Sequence, residues 1–224
     1  MKIAVFDFDG TLFDDETIPF LAKQWYKLGY SKSTWLVVFS KMLKIVVKYK
    51  LKVDKSYDKE VFRGEATKIF LSIFDGMSKT EVEEFFNKCR DDVIKLLNKD
   101  VIEEYNKKKE EGYYTVLLSG CFSEMLKQIT DTYHFDKVIC SKINYKENYI
   151  DNSVDIEIVS GKFKVKHLFL NMDGSKINFK ESYAYADSYY DRDLLELFGN
   201  PIAVNPDPIL LEIANEKSWI IIKK

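Results

Sequence analysis

The chain of 224 residues sets 34 Lys plus Arg against 36 Asp plus Glu, a formal net charge of −2. That balance excludes a general nucleic-acid binder, which needs a basic excess to neutralise phosphates. A content of 46% hydrophobic and 15% aromatic residues excludes a disordered or fibrous chain. Cys89, Cys121 and Cys140 are odd in number and widely spaced, which leaves no disulfide framework or paired zinc motif and points to a reducing compartment. An acidic residue, Asp7, arrives before any signal-peptide run could form, and no stretch approaches about 18 uncharged apolar residues, so the chain reads as cytoplasmic.

Residues 3–6 (Ile-Ala-Val-Phe) form a short apolar, β-rich run that ends at Asp7 and is followed at once by Asp9-Gly10-Thr11, which predicts a buried strand running into a loop. From about residue 14 to residue 111 apolar residues recur every three or four positions and Pro19 is the only proline, a pattern for four or five helices. Strand-like runs return at residues 114–118, 138–140, 182–186, 202–204 and 219–222, with helical patterns between most of them. Such alternation predicts an α/β fold with a mainly parallel sheet and helices on both faces. The long helical stretch after a single strand marks an insert: residues 1–13 and 112–224 make the core domain and residues 14–111 a helical cap. Residues 142–159 alternate polar and apolar around Asn and Asp, which predicts an antiparallel hairpin on the sheet edge.

Open α/β sheets bind ligands at the carboxyl ends of their strands, so the residues just beyond each strand are where a site belongs. Asp7 and Asp9 follow the first strand, Ser119 and Gly120 the second, Lys164 precedes a helical pattern, and Asp187 and Asp191 follow the strand at 182–186. Converging carboxylates repel one another unless a cation holds them, and all-oxygen ligation points to a hard divalent ion, Mg²⁺. Ser119-Gly120, entering the helical pattern at 122–131, makes an anion cradle of a hydroxyl and free amides at a helix start. Lys164 supplies the remaining positive charge, with Lys162 and Lys166 as rivals. Metal, cradle, cation and a carboxylate nucleophile are the parts of phosphoryl transfer. Taken singly, each motif also has a structural reading: a loop carboxylate pair, a Ser helix cap, two Asp capping a helix. Cys121, His134 and His167 read as structural.

In order, Asp7-Phe-Asp-Gly-Thr11, Leu117-Leu-Ser-Gly120, Gly161-Lys-Phe-Lys-Val165 and Ala186-Asp-Ser-Tyr-Tyr-Asp191 resemble the four signature motifs of the haloacid dehalogenase superfamily, in its phosphoserine-phosphatase-like branch. The resemblance implies a Rossmann-like core with an inserted cap, a magnesium-dependent phosphatase, and a phospho-aspartyl intermediate. It implies Asp7 as nucleophile, Asp9 as general acid and base with its backbone carbonyl on the metal, and Ser119 and Gly120 on the transferring phosphoryl group, with Thr11 supporting the loop and touching phosphate. Lys164 would balance charge between nucleophile and phosphate, Asp187 would ligate the metal, and Asp191 would hold a metal-bound water or orient Asp187. The segment 200–208 also looks like the end of this branch.

In that branch the cap follows the first motif and selects the substrate. Glu16 looks like the residue that meets the amino group of phosphoserine, and Arg63 is the cap arginine best placed for its carboxylate, which makes a small phosphorylated metabolite the expected partner. Between Glu16 and Asp54 there is no acidic residue, and Lys41, Lys44, Lys48 and Lys52 fall within about an 80° stripe opposite Trp35, Phe39, Met42 and Val46. This basic amphipathic helix reads either as a cap helix packing its apolar face or as a peripheral contact with an anionic membrane or lipid phosphate such as phosphatidylglycerophosphate. Two competitors remain. A response-regulator-like receiver carries its acceptor after a middle strand and has no large insert, and a catalytically silent metal-binding protein of the same fold would not need Asp7, Asp9, Lys164 and Asp187 all intact.

Overall fold

The computed structural model describes residues 1–51 and 57–223; Lys52 of the lysine stripe and Asp54 lie outside the described residues. Strand β1 (Ile3–Phe6) is buried along its whole length, with Ala4 and Phe6 in one apolar layer and Ile3 and Val5 in the other. Period-two alternation with both faces apolar is what a central parallel strand requires. Helices α1 (Thr17–Lys27), α2 (Lys32–Lys50), α3 (Lys59–Leu71), α4 (Lys79–Lys95) and α5 (Lys99–Glu110) follow, the predicted helical insert. The chain then alternates β2 (Tyr114–Phe122), α6 (Ser123–Thr130), β3 (Lys137–Ser141), the small strands β4 (Tyr145–Lys146) and β5 (Tyr149–Ile150), and α7 (Phe163–Asn171). It ends in β6 (Tyr183–Ala186), α8 (Arg192–Leu197), β7 (Asn200–Val204), α9 (Pro208–Glu216) and β8 (Ile220–Ile222).

The six-stranded sheet runs β3-β2-β1-β6-β7-β8 with every pair parallel. Helices α5 and α6 cover one face through Val101, Tyr105, Met125 and Ile129, and α4 packs on α6 and on the insert, where Phe85 meets Trp25, Tyr30 and Phe74. Helices α7, α8 and α9 cover the other through Leu168, Leu194, Leu195 and Leu210. The order reverses between β1 and β6, the switch point at which such sheets open a crevice.

Two expectations are corrected. The hairpin exists but is reduced to Tyr145↔Ile150 and Lys146↔Tyr149, and it joins the insert rather than the sheet edge. Ser78 bridges Tyr149, Ile150 donates to the Met77 carbonyl (3.1 Å) and Lys79 donates to the Asn148 carbonyl (2.8 Å). Glu147 and Asn148, both at positive φ, make the tight turn, and the Asp151 side chain ends the ladder by accepting from the Ser153 amide at 2.9 Å. The second difference concerns α5, which sequence patterning groups with the cap. Tyr105 packs edge-on against Phe6, with ring centroids 6.0 Å apart, and Glu104 accepts from the Tyr185 hydroxyl at 2.9 Å, so α5 lies on the sheet. Helical period alone does not say which surface a helix covers.

Candidate active site

Asp7 follows β1 directly and its amide donates to the Tyr185 carbonyl of β6 at 3.0 Å, which continues the sheet pairing one residue past the strand. The chain then turns sharply: Thr11 and Phe13 amides both donate to the Phe8 carbonyl (3.1 and 2.8 Å), and Phe8 stacks on Phe13 with centroids 5.0 Å apart. Gly10 sits at φ +70°, and a Cβ there would stand 2.4 Å from Asp187 Oδ2. Both backbone conformation and space therefore demand glycine. Gly10→Ala is expected to destabilise by about 1–3 kcal/mol and to displace the Asp187 carboxylate, read by urea unfolding together with loss of phosphate release.

Lys164 is buried, and its Nζ lies 2.7 Å from Asp7 Oδ1 and 2.9 Å from Asp191 Oδ2. It enters through Gly161, whose carbonyl accepts the Lys164 amide at 3.0 Å. The rivals lie elsewhere: Lys166 faces Glu157 at 3.8 Å, and Lys162 lies over the Phe163 ring. Asp187 follows β6, and Asp191 closes a short 3₁₀ turn, its amide donating to the Ser188 carbonyl at 2.9 Å. One carboxylate oxygen from each of Asp7, Asp187 and Asp191 lies within 4.8 Å of the other two.

Three carboxylates and one lysine sum to −3 + 1 = −2 in a nearly dry volume. Burial pushes the Asp7 carboxyl up to about 7 against the pull of Lys164, and burial together with Asp7 and Asp191 pushes Asp187 up to about 8. The Lys164 ammonium is correspondingly held charged by Asp191 and Asp7. Oδ1 of Asp191 is buried without a hydrogen-bond partner among the described residues. Clustered hard oxygen donors, a deficit of two positive charges and an orphaned buried oxygen fit a hard divalent cation.

Asp9 stands apart from this cluster. Its Oδ1 accepts from the Thr17 hydroxyl and from the Thr17 amide, the latter at 3.0 Å, which ties the carboxylate to the first turn of α1. Burial, with the charge of Glu16, pushes the Asp9 carboxyl up to about 7. Of the residues expected to hold a metal, then, the side chains of Asp7, Asp187 and Asp191 are brought together and that of Asp9 is not. Ser119 lies on β2 at the same carboxyl edge, two residues beyond the Phe6↔Leu117 pair, and its Oγ accepts from the Cys121 amide at 3.1 Å. Here β2 bulges between Ser119 and Phe122, so the predicted helix start at 122 is still strand. Gly120 packs against the chain before α7, where a Cβ would come within 3.2 Å of Ser160 Cβ. Thr11 is wholly buried and its hydroxyl has no hydrogen-bond partner among the described residues.

Glu16 is exposed at the head of α1, and its charge reaches both Asp9 and Asp187. Arg63 is half-buried on α3 with its guanidinium 5.6 Å from the Tyr190 ring centroid, which brings the insert to the 187–191 loop. Cys121 is buried, and burial pushes its thiol well up, as suits a structural cysteine. His134 is exposed and His167 faces Glu157 at 3.5 Å.

Sequence reasoning missed several contributors. Thr17 orients Asp9 from eight residues away, and no periodicity marks such a pair. Glu60 of α3 accepts from the Ser160 hydroxyl at 3.2 Å, and its other oxygen lies where a Cβ on Gly161 would be 2.1 Å away, so Gly161 at φ +51° admits the insert to the start of α7. Asp207 fastens the acidic loop by accepting from the Tyr189 amide at 2.7 Å while capping α9 through the Ile209 and Leu210 amides. Its signal, Asp before Pro at a helix start, was available in the sequence.

Residues 4–196 match the family model for haloacid dehalogenase-like hydrolases. The chain belongs to that family. This haloacid dehalogenase-like hydrolase is 27% identical to the phosphoserine phosphatase of Wolinella succinogenes over 228 residues, covering 100% of this chain and 95% of that protein. Among solved structures it resembles a protein of unknown function from Bordetella pertussis Tohama I, with a TM-score of 0.81 at 21% identity and coverage of 99% and 97% of the two chains. A phospho-aspartyl intermediate analogue of phosphoserine phosphatase shares the fold at a TM-score of 0.65 and 20% identity, over 100% of this chain and 93% of that one.

Proposed function

We propose that the chain is a magnesium-dependent phosphatase that hydrolyses a phosphate monoester through a phospho-aspartyl intermediate on Asp7. The observation that carries this reading is Lys164 Nζ wedged between Asp7 (2.7 Å) and Asp191 (2.9 Å) beside Asp187 at the carboxyl edge of the sheet. Asp7, Asp187, Asp191 and the backbone carbonyl of Asp9 would hold the magnesium ion, which when bound would supply the positive charge that lets carboxylates and phosphate share one small volume.

The Phe8 amide and Lys164 fix Asp7 through its Oδ1, at 2.7 Å each, and so limit its rotation toward the phosphorus. Ser119, whose Oγ already accepts the Cys121 amide, keeps its proton to donate to a phosphoryl oxygen, joined by the Gly120 amide and by the unpartnered Thr11 hydroxyl. Attack by the Asp7 carboxylate forms the aspartyl phosphate and breaks the substrate P–O bond, and Asp9 gives its proton to the leaving oxygen. Asp9, now ionised and held by Thr17, takes a proton from water as that water attacks the phosphorus, which releases phosphate and restores Asp7.

The inserted helices α1–α4 act as the cap. Contacts of Arg63 with Tyr190 and of Glu60 with Ser160 support this role, since a cover over the acyl phosphate keeps stray water out. With Glu16 and Arg63 at the rim, the substrate is an amino acid phosphate of the phosphoserine kind. A lipid phosphate is the second reading, favoured by the exposed apolar residues of α2.

Phosphate release from phosphoserine, phosphatidylglycerophosphate, a nucleotide monophosphate and an aryl phosphate, with magnesium and with chelator, tests the proposal. Magnesium-dependent release is expected, and no release from any of them overturns it. Arg63→Ala is expected to raise KM for phosphoserine by about tenfold with little change in kcat, and to leave aryl phosphate hydrolysis unchanged. An equal loss on both substrates would make Arg63 a structural residue.

A further inference from the structure

Helix α2 is 19 residues long, carries five lysines and contains no Asp or Glu. Its inner face is used: Val38 and Ile45 are buried, and Trp35 and Met42 pack on the core. Phe39, which the sequence places on that packing face, is not covered; it stacks on Trp35 with centroids 4.9 Å apart and is half exposed. Together with Leu36, Leu43, Val47 and the capping Leu51 it forms a second apolar row, spaced by three and four residues, in which each side chain is between 46% and 69% exposed. A row at that spacing occupies one side of a helix over its whole length, about 28 Å.

Lysines border this row. Lys48 is engaged by Glu65 at 4.0 Å and lies over the Tyr57 ring, and Lys32 lies over the Tyr26 ring. Lys41, Lys44 and Lys50 are exposed and have no acidic partner among the described residues. Tyr26, Trp35 and Phe39 make a continuous aromatic row at the amino-terminal end, with the Trp35 indole N–H donating to the Ala22 carbonyl at 3.0 Å.

We infer that this outer face of α2 is a docking surface for an anionic lipid bilayer, on which the protein lies peripherally. Charge complementarity selects that occupant. Apolar side chains enter the boundary between headgroups and acyl chains, lysines reach the phosphates, and the aromatic row sits at headgroup level. A second copy of this face would bring Lys41, Lys44 and Lys50 against their own counterparts, with no carboxylate on either helix to offset them. Among the described residues no helix is long and apolar enough to cross a membrane, so attachment is in the plane of the surface. The opposite side of α2 reaches the site, because Tyr49 hydrogen-bonds Tyr190 of the acidic loop. Docking therefore places α2 between the bilayer and the acidic loop. This inference rests on the exposed face alone and stands or falls independently of turnover.

The test is co-sedimentation of the whole chain with vesicles of phosphatidylcholine alone and of equimolar phosphatidylcholine and phosphatidylglycerol. Partitioning onto the anionic vesicles is expected to be roughly tenfold or more stronger at low salt and to fall as salt is added, with a blue shift of tryptophan emission. The double variant Leu43→Glu, Val47→Glu changes only exposed positions and is expected to lose partitioning by about tenfold, and Lys41→Glu with Lys44→Glu to do the same, while both keep the melting temperature and aryl phosphate turnover of the parent. Absence of binding to the anionic vesicles overturns the inference, as does binding that either variant leaves unchanged. A dimer in sedimentation velocity that Leu43→Glu, Val47→Glu abolishes would also overturn it, by assigning the face to a second copy.

Discussion

Asp7→Asn is expected to lower phosphate release by roughly 10⁴-fold or more while the chain stays folded. Asn has nearly the shape of Asp, and an amide oxygen can still accept from the Phe8 amide, which now reaches Asp7 Oδ1 at 2.7 Å. What it lacks is a nucleophilic carboxylate and the charge that faces Lys164 at 2.7 Å. Loss of activity alone would not distinguish a nucleophile from a metal ligand. Rapid acid quench during turnover of labelled substrate makes that distinction, because an acyl phosphate survives acid and is cleaved by hydroxylamine. The parent is expected to carry hydroxylamine-labile label and Asp7→Asn none. Label retained by the variant, or activity within tenfold of the parent, would refute Asp7 as nucleophile.

Asp187→Asn is expected to abolish turnover as well, yet to make the metal-free protein more stable at alkaline pH. The Asp187 carboxyl is pushed up to about 8 by burial and by Asp7 and Asp191, and Asp7 to about 7, whereas unfolded carboxyls titrate near 4. A folded-state value above the unfolded one means that the native state keeps a proton the unfolded chain has lost. Stability from this cluster is therefore present below about pH 4 and falls as the pH rises through about 8. Magnesium is expected to reverse the trend, since it would bind only the folded form. Read as the difference between variant and parent, so that other titrations cancel, the metal-free melting temperature should be equal near pH 4 and higher by about 5 °C in Asp187→Asn at pH 8. Magnesium should raise the parent and leave the variant unmoved. A parent that gains nothing from magnesium at pH 8, or a variant that gains as much as the parent, would remove Asp187 from the metal site.

The two experiments divide the same cluster differently. On the proposed mechanism Asp7 would carry the covalent bond and be reported by trapped label, and Asp187 would carry charge toward the cation and be reported by stability without any substrate. Agreement of both would tie the −2 deficit around Lys164 to the chemistry proposed for it.

Much of the molecule was legible before folding because the relevant signals are local. A fully apolar run that ends in Asp at residue 7, and a second run that ends in Asp at 187, announce strands whose carboxyl ends carry charge, and the structure has both next to each other as β1 and β6. Helical period gave α1 to α5, and alternation of strand and helix gave the parallel sheet. Those patterns follow from main-chain geometry and from which side of an element meets water, and a sequence states both directly.

What crosses elements was decided only by tertiary structure. Motif register singles out Lys164 over Lys162 and Lys166, but its reach to both Asp7 and Asp191 depends on how the first turn of α7 aims it inward, which three alternate lysines do not mark. The hold of Thr17 on Asp9, the approach of Glu60 to Gly161 and the fastening of the acidic loop by Asp207 join residues whose separation in sequence has no period. The placement of α5 on the sheet, and of the 145–150 hairpin on the insert, required knowing which apolar faces were already covered. For α2 the sequence fixes an amphipathic helix rich in lysine, but only the packed fold leaves Phe39 and Leu43 in the open, because neighbouring helices cover one of its two apolar sides and not the other.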